Sequence, residues 1–134
     1  MKRGLALLIP LLVGLAAVPA PTPAAAAPVA SEDLEVILAI DSSGSMRPAL
    51  DAAKAAANEF VASMPVDVRI GLETFGDTVS VLTAPTTDRA ALSLLINSIV
   101  AHGDTALYDA VVTASKGFTP TVEHKVLVLS LIHI

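Results

Sequence analysis

Asp41, Ser43 and Ser45 stand at alternate positions in the stretch Asp-Ser-Ser-Gly-Ser-Met, so one carboxylate and two hydroxyls follow one another within five residues. Hard oxygen donors with no Cys or His beside them suit Mg²⁺, Mn²⁺ or Ca²⁺ far better than zinc. Gly44, between the two serines, can take backbone angles that other residues resist, and Pro48 belongs early in a following helix. A plainer reading competes with metal binding, in which this is a Ser/Gly turn and Ser43 or Ser45 caps the next helix. Thr105 offers a further hydroxyl at the start of a later helix. Its plain role there is an N-cap worth about 1 kcal/mol, and the two roles can coexist.

These donors need a scaffold that brings them to one place. The run Val36 to Ile40 is continuously apolar and stops at Asp41, as expected of a strand buried on both faces that delivers a polar loop to one rim. From Arg47 to Ser63, Leu50, Ala53, Ala57, Phe60, Val61 and Met64 recur at helical steps, while Asp51, Lys54 and Asn58 fall on another face. Pro65 closes that helix. From Val66 to Phe75, Val68, Ile70 and Leu72 alternate with Asp67, Arg69, Gly71 and Glu73, the pattern of a half-buried strand. Gly76-Asp77 then reads as a two-residue hairpin turn, with Thr78 to Thr83 pairing antiparallel at a sheet edge.

Ala84 to Thr87 reads as a connector whose threonines can cap a helix that carries the stripe Leu92, Leu95, Ile96 and Ile99, with Asp88 at its positive end. After the loop Ala101-His102-Gly103-Asp104-Thr105, the residues Leu107, Ala110, Val111 and Ala114 mark a third helix that ends near Gly117. Val126 to Leu129 reads as another buried strand. The order strand, helix, hairpin, helix, helix, strand predicts an α/β fold. Its sheet is open and mostly parallel, with one antiparallel edge hairpin, helices on both faces and ligands beyond the carboxyl ends of the strands.

The Asp-x-Ser-x-Ser spacing of Asp41, Ser43 and Ser45 resembles the signature of the von Willebrand factor A (vWA) family, whose Rossmann-like fold carries a metal-ion-dependent adhesion site. That family draws its next ligand from a Thr in Gly-x-Thr-Ala-Leu-x-Asp-Ala, and Gly103 to Ala110 reads Gly-Asp-Thr-Ala-Leu-Tyr-Asp-Ala. The hairpin Gly-Leu-Glu-Thr-Phe-Gly-Asp-Thr adds to the likeness. The resemblance implies Asp41, Ser43, Ser45 and Thr105 as ligands of Mg²⁺, or of Mn²⁺ or Ca²⁺. Asp104 is left as an outer residue, Asp109 as a structural first-turn carboxylate, and His102 as a solvated loop residue.

Composition sets the wider bounds. The 134 residues suffice for one domain, and without cysteine there is neither a disulfide framework nor thiol chemistry. Met-Lys-Arg, an apolar stretch from Leu5 to Val18 and a small-residue segment to Ala27 match a cleaved secretory signal over residues 1–26, followed by a linker at 27–33. The apolar run is interrupted by Pro10 and is shorter than the roughly 20 residues of a spanning helix. The positive mean hydropathy is inflated by this segment. Once Lys2 and Arg3 are removed with it, 6 basic residues remain against 13 acidic ones, and the basic residues are scattered, which argues against nucleic acid.

The likeness departs from the family after Ser130, where Leu131-Ile132-His133-Ile134 stands in place of Asp-Gly. Residues 34–134 are therefore expected to be the N-terminal part of a vWA domain, incomplete at the C-terminus, with 131–134 artefactual and Val126 on an apolar strand edge prone to aggregation. The expected function is an exported, extracellular, cell-surface or periplasmic protein-binding module whose cation accepts an acidic side chain from a partner. The alternative is the outward-facing head of a membrane-anchored secretion or pilus-assembly protein, with any membrane contact made through a missing C-terminal region. An enzyme is not expected, since the chain shows no P-loop, nucleophile elbow or paired acid and base. With the family's last carboxylate absent, calorimetric titration is expected to show weak Mg²⁺ binding or none, and micromolar binding lost in Asp41→Ala would contradict this.

Overall fold

The computed structural model describes residues 34–130. The leader, the linker and the 131–134 tail expected from the sequence lie outside them. Four strands, β1 (Leu34–Asp41), β2 (Arg69–Phe75), β3 (Val79–Thr86) and β4 (His124–Ser130), form one sheet in the order β3-β2-β1-β4. β1 runs parallel to both β2 and β4, and β3 is antiparallel to β2. Three helices, α1 (Leu50–Ser63), α2 (Arg89–Ser98) and α3 (Leu107–Gly117), cover it. The architecture is the mostly parallel sheet with an antiparallel edge hairpin and helices on both faces that the apolar patterning predicts. Among the described residues, no helix is long and apolar enough to cross a membrane.

The two faces are filled differently. On one, Val36, Leu38 and Ile40 of β1 and Ile70 and Leu72 of β2 pack against Leu50, Ala53, Ala57 and Val61 of α1 and Leu92 and Ile96 of α2. On the other, Ala39 and Phe75 meet Ala110 of α3, with Leu107, Leu127 and Leu129 beside them. Small residues at Ala110 and Ala114, both fully buried, let α3 sit close to the sheet. Val111, assigned to that stripe from the sequence, is 39 % exposed and faces away.

α3 also corrects the reading of β2. The alternation from Val68 to Glu73 predicts one wet face, yet Gly71 and Glu73 are buried as completely as Ile70 and Leu72, because α3 roofs the side on which they stand. Conversely, Val126 to Leu129 are not enclosed. β4 is an edge of the four-stranded sheet, with Val126 43 % exposed and the following residues half-buried.

Other differences are local. Helix α1 begins at Leu50 rather than at Arg47, after a short 3₁₀ turn over Gly44–Met46. Strand β2 begins at Arg69, and Val66 is exposed. The hairpin turn spans Gly76 to Thr78, closed by the Gly76 amide donating to the Thr78 carbonyl at 3.1 Å. Strand β3 continues through Ala84 and Pro85 to Thr86, where a connector was expected. Proline is tolerated there because β3 is an edge strand whose register slips against β2 around Leu72. Asp88 caps α2, accepting from the Ala91 amide at 2.9 Å.

At the end of the sheet where β1 begins, Glu35 is fully buried and clasps two elements. One of its carboxylate oxygens accepts from the Thr119 amide at 2.7 Å, and the other pairs with the Arg69 guanidinium. Arg69→Ala is expected to cost about 3 kcal/mol, because it strands a buried charge, whereas Glu35→Gln keeps an amide in the same volume and should cost clearly less. Urea denaturation of the two variants checks the order.

Candidate functional site

Parallel pairing places the ends of β1, β2 and β4 at one rim. Asp41 stands beside Phe75, and Ile40 beside Ser130. From β1 the chain crosses by α1 to β2 on one side, and from α3 it returns to β4 on the other. The carboxyl end of β1 is thus the switch point, where an open α/β sheet leaves a crevice.

Three loops meet there, held by backbone bonds. The Ser42 amide donates to the Phe75 carbonyl at 2.9 Å, and the Ser42 carbonyl accepts from the His102 amide at 2.8 Å. The Gly44 amide donates to the Gly103 carbonyl at 2.7 Å, and the Ala106 amide to the Gly76 carbonyl at 2.9 Å. The loop that carries Asp41, Ser43 and Ser45 is therefore bonded directly to the loop that carries Thr105, although some sixty residues separate them in sequence.

Within the first loop, an Asp41 carboxylate oxygen accepts from the Ser43 amide at 2.8 Å, which fixes the carboxylate against the turn. The Ser43 and Ser45 hydroxyl oxygens are 3.1 Å apart. Asp41 and Ser43 are buried and Ser45 is exposed. Met46, fully buried in the core beneath, anchors the turn, and its amide donates to the Ser43 carbonyl at 3.0 Å. No sequence argument had marked Met46.

The capping roles are not taken up. Ser43 precedes the 3₁₀ turn without a side-chain cap bond, and the N-cap position of α3 falls on Ala106, not Thr105, again without a side-chain cap. Thr105 lies exposed in the preceding loop, with Asp104 and His102. Asp109 stands in the first turn of α3, as a structural carboxylate would.

Asp77, read from the sequence only as a turn residue, braces the second loop. Its carboxylate accepts from the Asp104 amide and lies against Gly103. Gly103 has φ +72°, and a Cβ there would fall 2.0 Å from the Asp77 carboxylate. A Cβ on Gly44 would crowd the Gly103 carbonyl at 3.2 Å. The two glycines thus allow the loops their close approach. Beside the rim lies a pocket of about 230 Å³ with a mixed lining, in which Ser42, Thr74, Ser80, Ser98 and His102 alternate with the apolar Leu82, Ile99 and Val100.

The donor set at the rim is one carboxylate and several hydroxyls. Among the described residues, no three His, Cys, Asp or Glu side chains gather as a metal cluster, so hydroxyl oxygens would supply most of the protein's share of any coordination. Such a set fits a hard divalent ion that keeps part of its water, and does not fit a soft one.

Comparison with known proteins bears on this geometry. The profile of the family described as von Willebrand factor type A domain matches residues 36–130. Comparison with curated protein sequences finds no match. Among solved structures, the three N-terminal domains of the type V pili tip protein Mfa5 from Porphyromonas gingivalis superpose with a TM-score of 0.68 at 26 % identity, over 72 % of this chain and 19 % of that one. An uncharacterized membrane spanning protein from Vibrio fischeri matches with a TM-score of 0.59 at 26 % identity, over 63 % and 48 %. An aerotolerance-related membrane protein from Bacteroides fragilis matches with a TM-score of 0.62 at 25 % identity, over 70 % and 52 %. The chain thus spans about half or less of each of these proteins.

Gly103→Ala is expected to destabilise the fold by about 1–3 kcal/mol, from its positive φ together with the clash. In an Asp77→Ala background the same change should cost less, since only the backbone penalty remains. Thermal melts of the four proteins in this cycle measure the difference.

Proposed function

The chain belongs to the von Willebrand factor type A domain family, and from that premise we propose that it is an exported, non-enzymatic module that binds a protein partner through a divalent cation. Asp41, Ser43, Ser45 and Thr105 would hold the ion, with Mg²⁺ the natural candidate and Mn²⁺ or Ca²⁺ close alternatives. One observation carries this reading: the two loops are bonded together at Gly44 and Gly103, while neither Ser43 nor Thr105 spends its hydroxyl on a helix cap. Two serine hydroxyls beside a buried carboxylate, on a loop bonded to the one that carries Thr105, suit a cation site.

When bound, the ion supplies an open coordination position that a partner's Asp or Glu side chain can fill in place of water. The chain's own residues prepare that position. The Ser43 amide holds the Asp41 carboxylate in one orientation, Met46 keeps the turn seated, and Asp77 keeps the Thr105 loop in place. A pilus tip protein among the structural relatives supports a protein rather than a small molecule as the partner.

A second reading is favoured by the two membrane proteins among those relatives. In it the module is the outward-facing head of a membrane-anchored protein. Fractionation of the native host distinguishes the readings, since a head would remain with the membranes after a salt wash and a secreted module would not.

Register leads the end of β4 to the rim beside Asp41, and the family's last carboxylate is expected directly after Ser130. Leu131→Asp is therefore expected to tighten Mg²⁺ binding by about tenfold or more through added ligand charge. Asp41→Ala or Ser43→Ala in that background should remove the gain. Retention of the Leu131→Asp protein on an immobilised acidic peptide should require Mg²⁺ and be reversed by EDTA. Calorimetry that shows no change on adding the carboxylate would overturn the cation site.

A further inference from the structure

Glu73 lies away from the rim, near the middle of β2, on the face that α3 covers. It is 2 % exposed, and one of its carboxylate oxygens is buried without a hydrogen-bond partner. It lines a cleft of about 80 Å³ between β3 and α3, whose apolar walls include Ile37, Val81, Ala84 and Pro85, with Thr113 and Gly117 on the α3 side. The Thr83 hydroxyl, also at the cleft, donates to the Ala84 carbonyl. Val81, paired with Glu73 across the hairpin, is 60 % exposed, so the cleft reaches the surface at its β3 side.

An unpaired carboxylate between apolar walls is costly unless it is neutralised or given a counter-charge. A hard metal ion is a poor candidate, because the walls offer few further oxygen donors. The volume is about the share of two or three waters, which also suits the last few atoms of an unbranched chain. An aliphatic stem ending in an ammonium meets both demands, with methylenes against the apolar walls and a charge-assisted hydrogen bond at the end. We propose that the cleft between β3 and α3 binds an aliphatic ammonium group, presented as the lysine side chain of a protein partner, with Glu73 as its counter-ion.

Nothing else that titrates lines the cleft. β3 carries no ionisable residue. On the same face of the sheet, Glu35 and Arg69 are paired with each other near the strands' beginnings, and Asp41 lies at the far rim. On α3, Tyr108, Asp109 and Lys116 are exposed; Asp109 stands one turn before the lining residue Thr113, and Lys116 directly precedes the lining residue Gly117. Burial pushes the Glu73 carboxyl up to about 7. Its raised folded value means that stability is fully present below pH 4.5, falls as pH rises from there to about 7, and levels off above. An ammonium ligand reverses this by favouring the ionised form, so binding below pH 7 releases a proton.

The test uses the chain in EDTA, which separates this site from the cation site. n-Butylammonium chloride and Nα-acetyl-lysine amide are titrated in, followed by amide chemical shifts. Both are expected to shift resonances of β2, β3 and α3, and n-butanol at equal concentration is not. Affinity should rise about tenfold per pH unit up to about pH 7 and then level off, as one-proton linkage requires. Glu73→Gln, which removes the unpaired charge and keeps the shape, is expected to melt higher above pH 7 and to bind the amines about tenfold more weakly or not at all. Equal binding of butanol, affinity independent of pH, or undiminished binding by Glu73→Gln overturns the ammonium site. Binding of butylammonium without the lysine amide overturns the lysine assignment.

Discussion

The candidate site depends on one contact between segments far apart in the chain, the bond from the Gly44 amide to the Gly103 carbonyl. A Cβ on Gly44 would crowd the Gly103 carbonyl, and Gly103 adopts a backbone angle that L side chains resist and lies against the Asp77 carboxylate. Around this bond the amides and carbonyls of Ser42, Phe75, Gly76, His102 and Ala106 form a small ladder with no regular secondary structure. It satisfies the backbone groups at the strand ends and leaves side-chain oxygens for other work. A rim built this way has its main-chain groups paired across three loops and its side-chain oxygens free of that pairing.

The sheet supports that rim by an asymmetric division of labour. The face under α1 and α2 is a conventional aliphatic core, packed from Val36, Leu38, Ile40, Ile70 and Leu72. The face under α3 carries, besides Asp41 at the rim, two buried carboxylates on neighbouring strands, with opposite fates. Glu35 is matched by Arg69 and the Thr119 amide and ties the β4 approach to the start of β1. Glu73, a short distance along the same face, has no such match and opens into a cleft. The same residue type is a structural clasp in one place and a reservoir of unmet electrostatic demand in the other, and only its neighbours decide which.

Much of the architecture is legible in local pattern. The apolar run to Ile40 ending at Asp41, the helical stripe through Leu50, Ala53, Ala57 and Val61, and the stripe through Leu92, Ile96 and Ile99 all sit in the core as their spacing requires. Where that reading erred, the cause lay in a partner remote in sequence. Gly71 and Glu73 alternate with apolar residues as exposed positions would, but α3 covers them. Val126 to Leu129 have the composition of an enclosed strand, which is not realised because β4 lies at an edge of the four-stranded sheet, the edge position expected for Val126. Thr105 has the type and place of an N-cap, but α3 begins one residue later and leaves the hydroxyl out of the cap.

By itself the sequence determined the order and type of the elements, the side chains able to offer hard oxygen donors, and the family to which their spacing belongs. These follow from periodicity and from short-range spacing, which act over a few residues. The tertiary structure alone decided that the Asp41 and Thr105 loops are bonded to each other, that Asp77 and Met46 hold them, and that Glu73 is buried without a counter-charge. Those outcomes depend on strand order and on which helix roofs which face, and no local pattern encodes such contacts between distant segments.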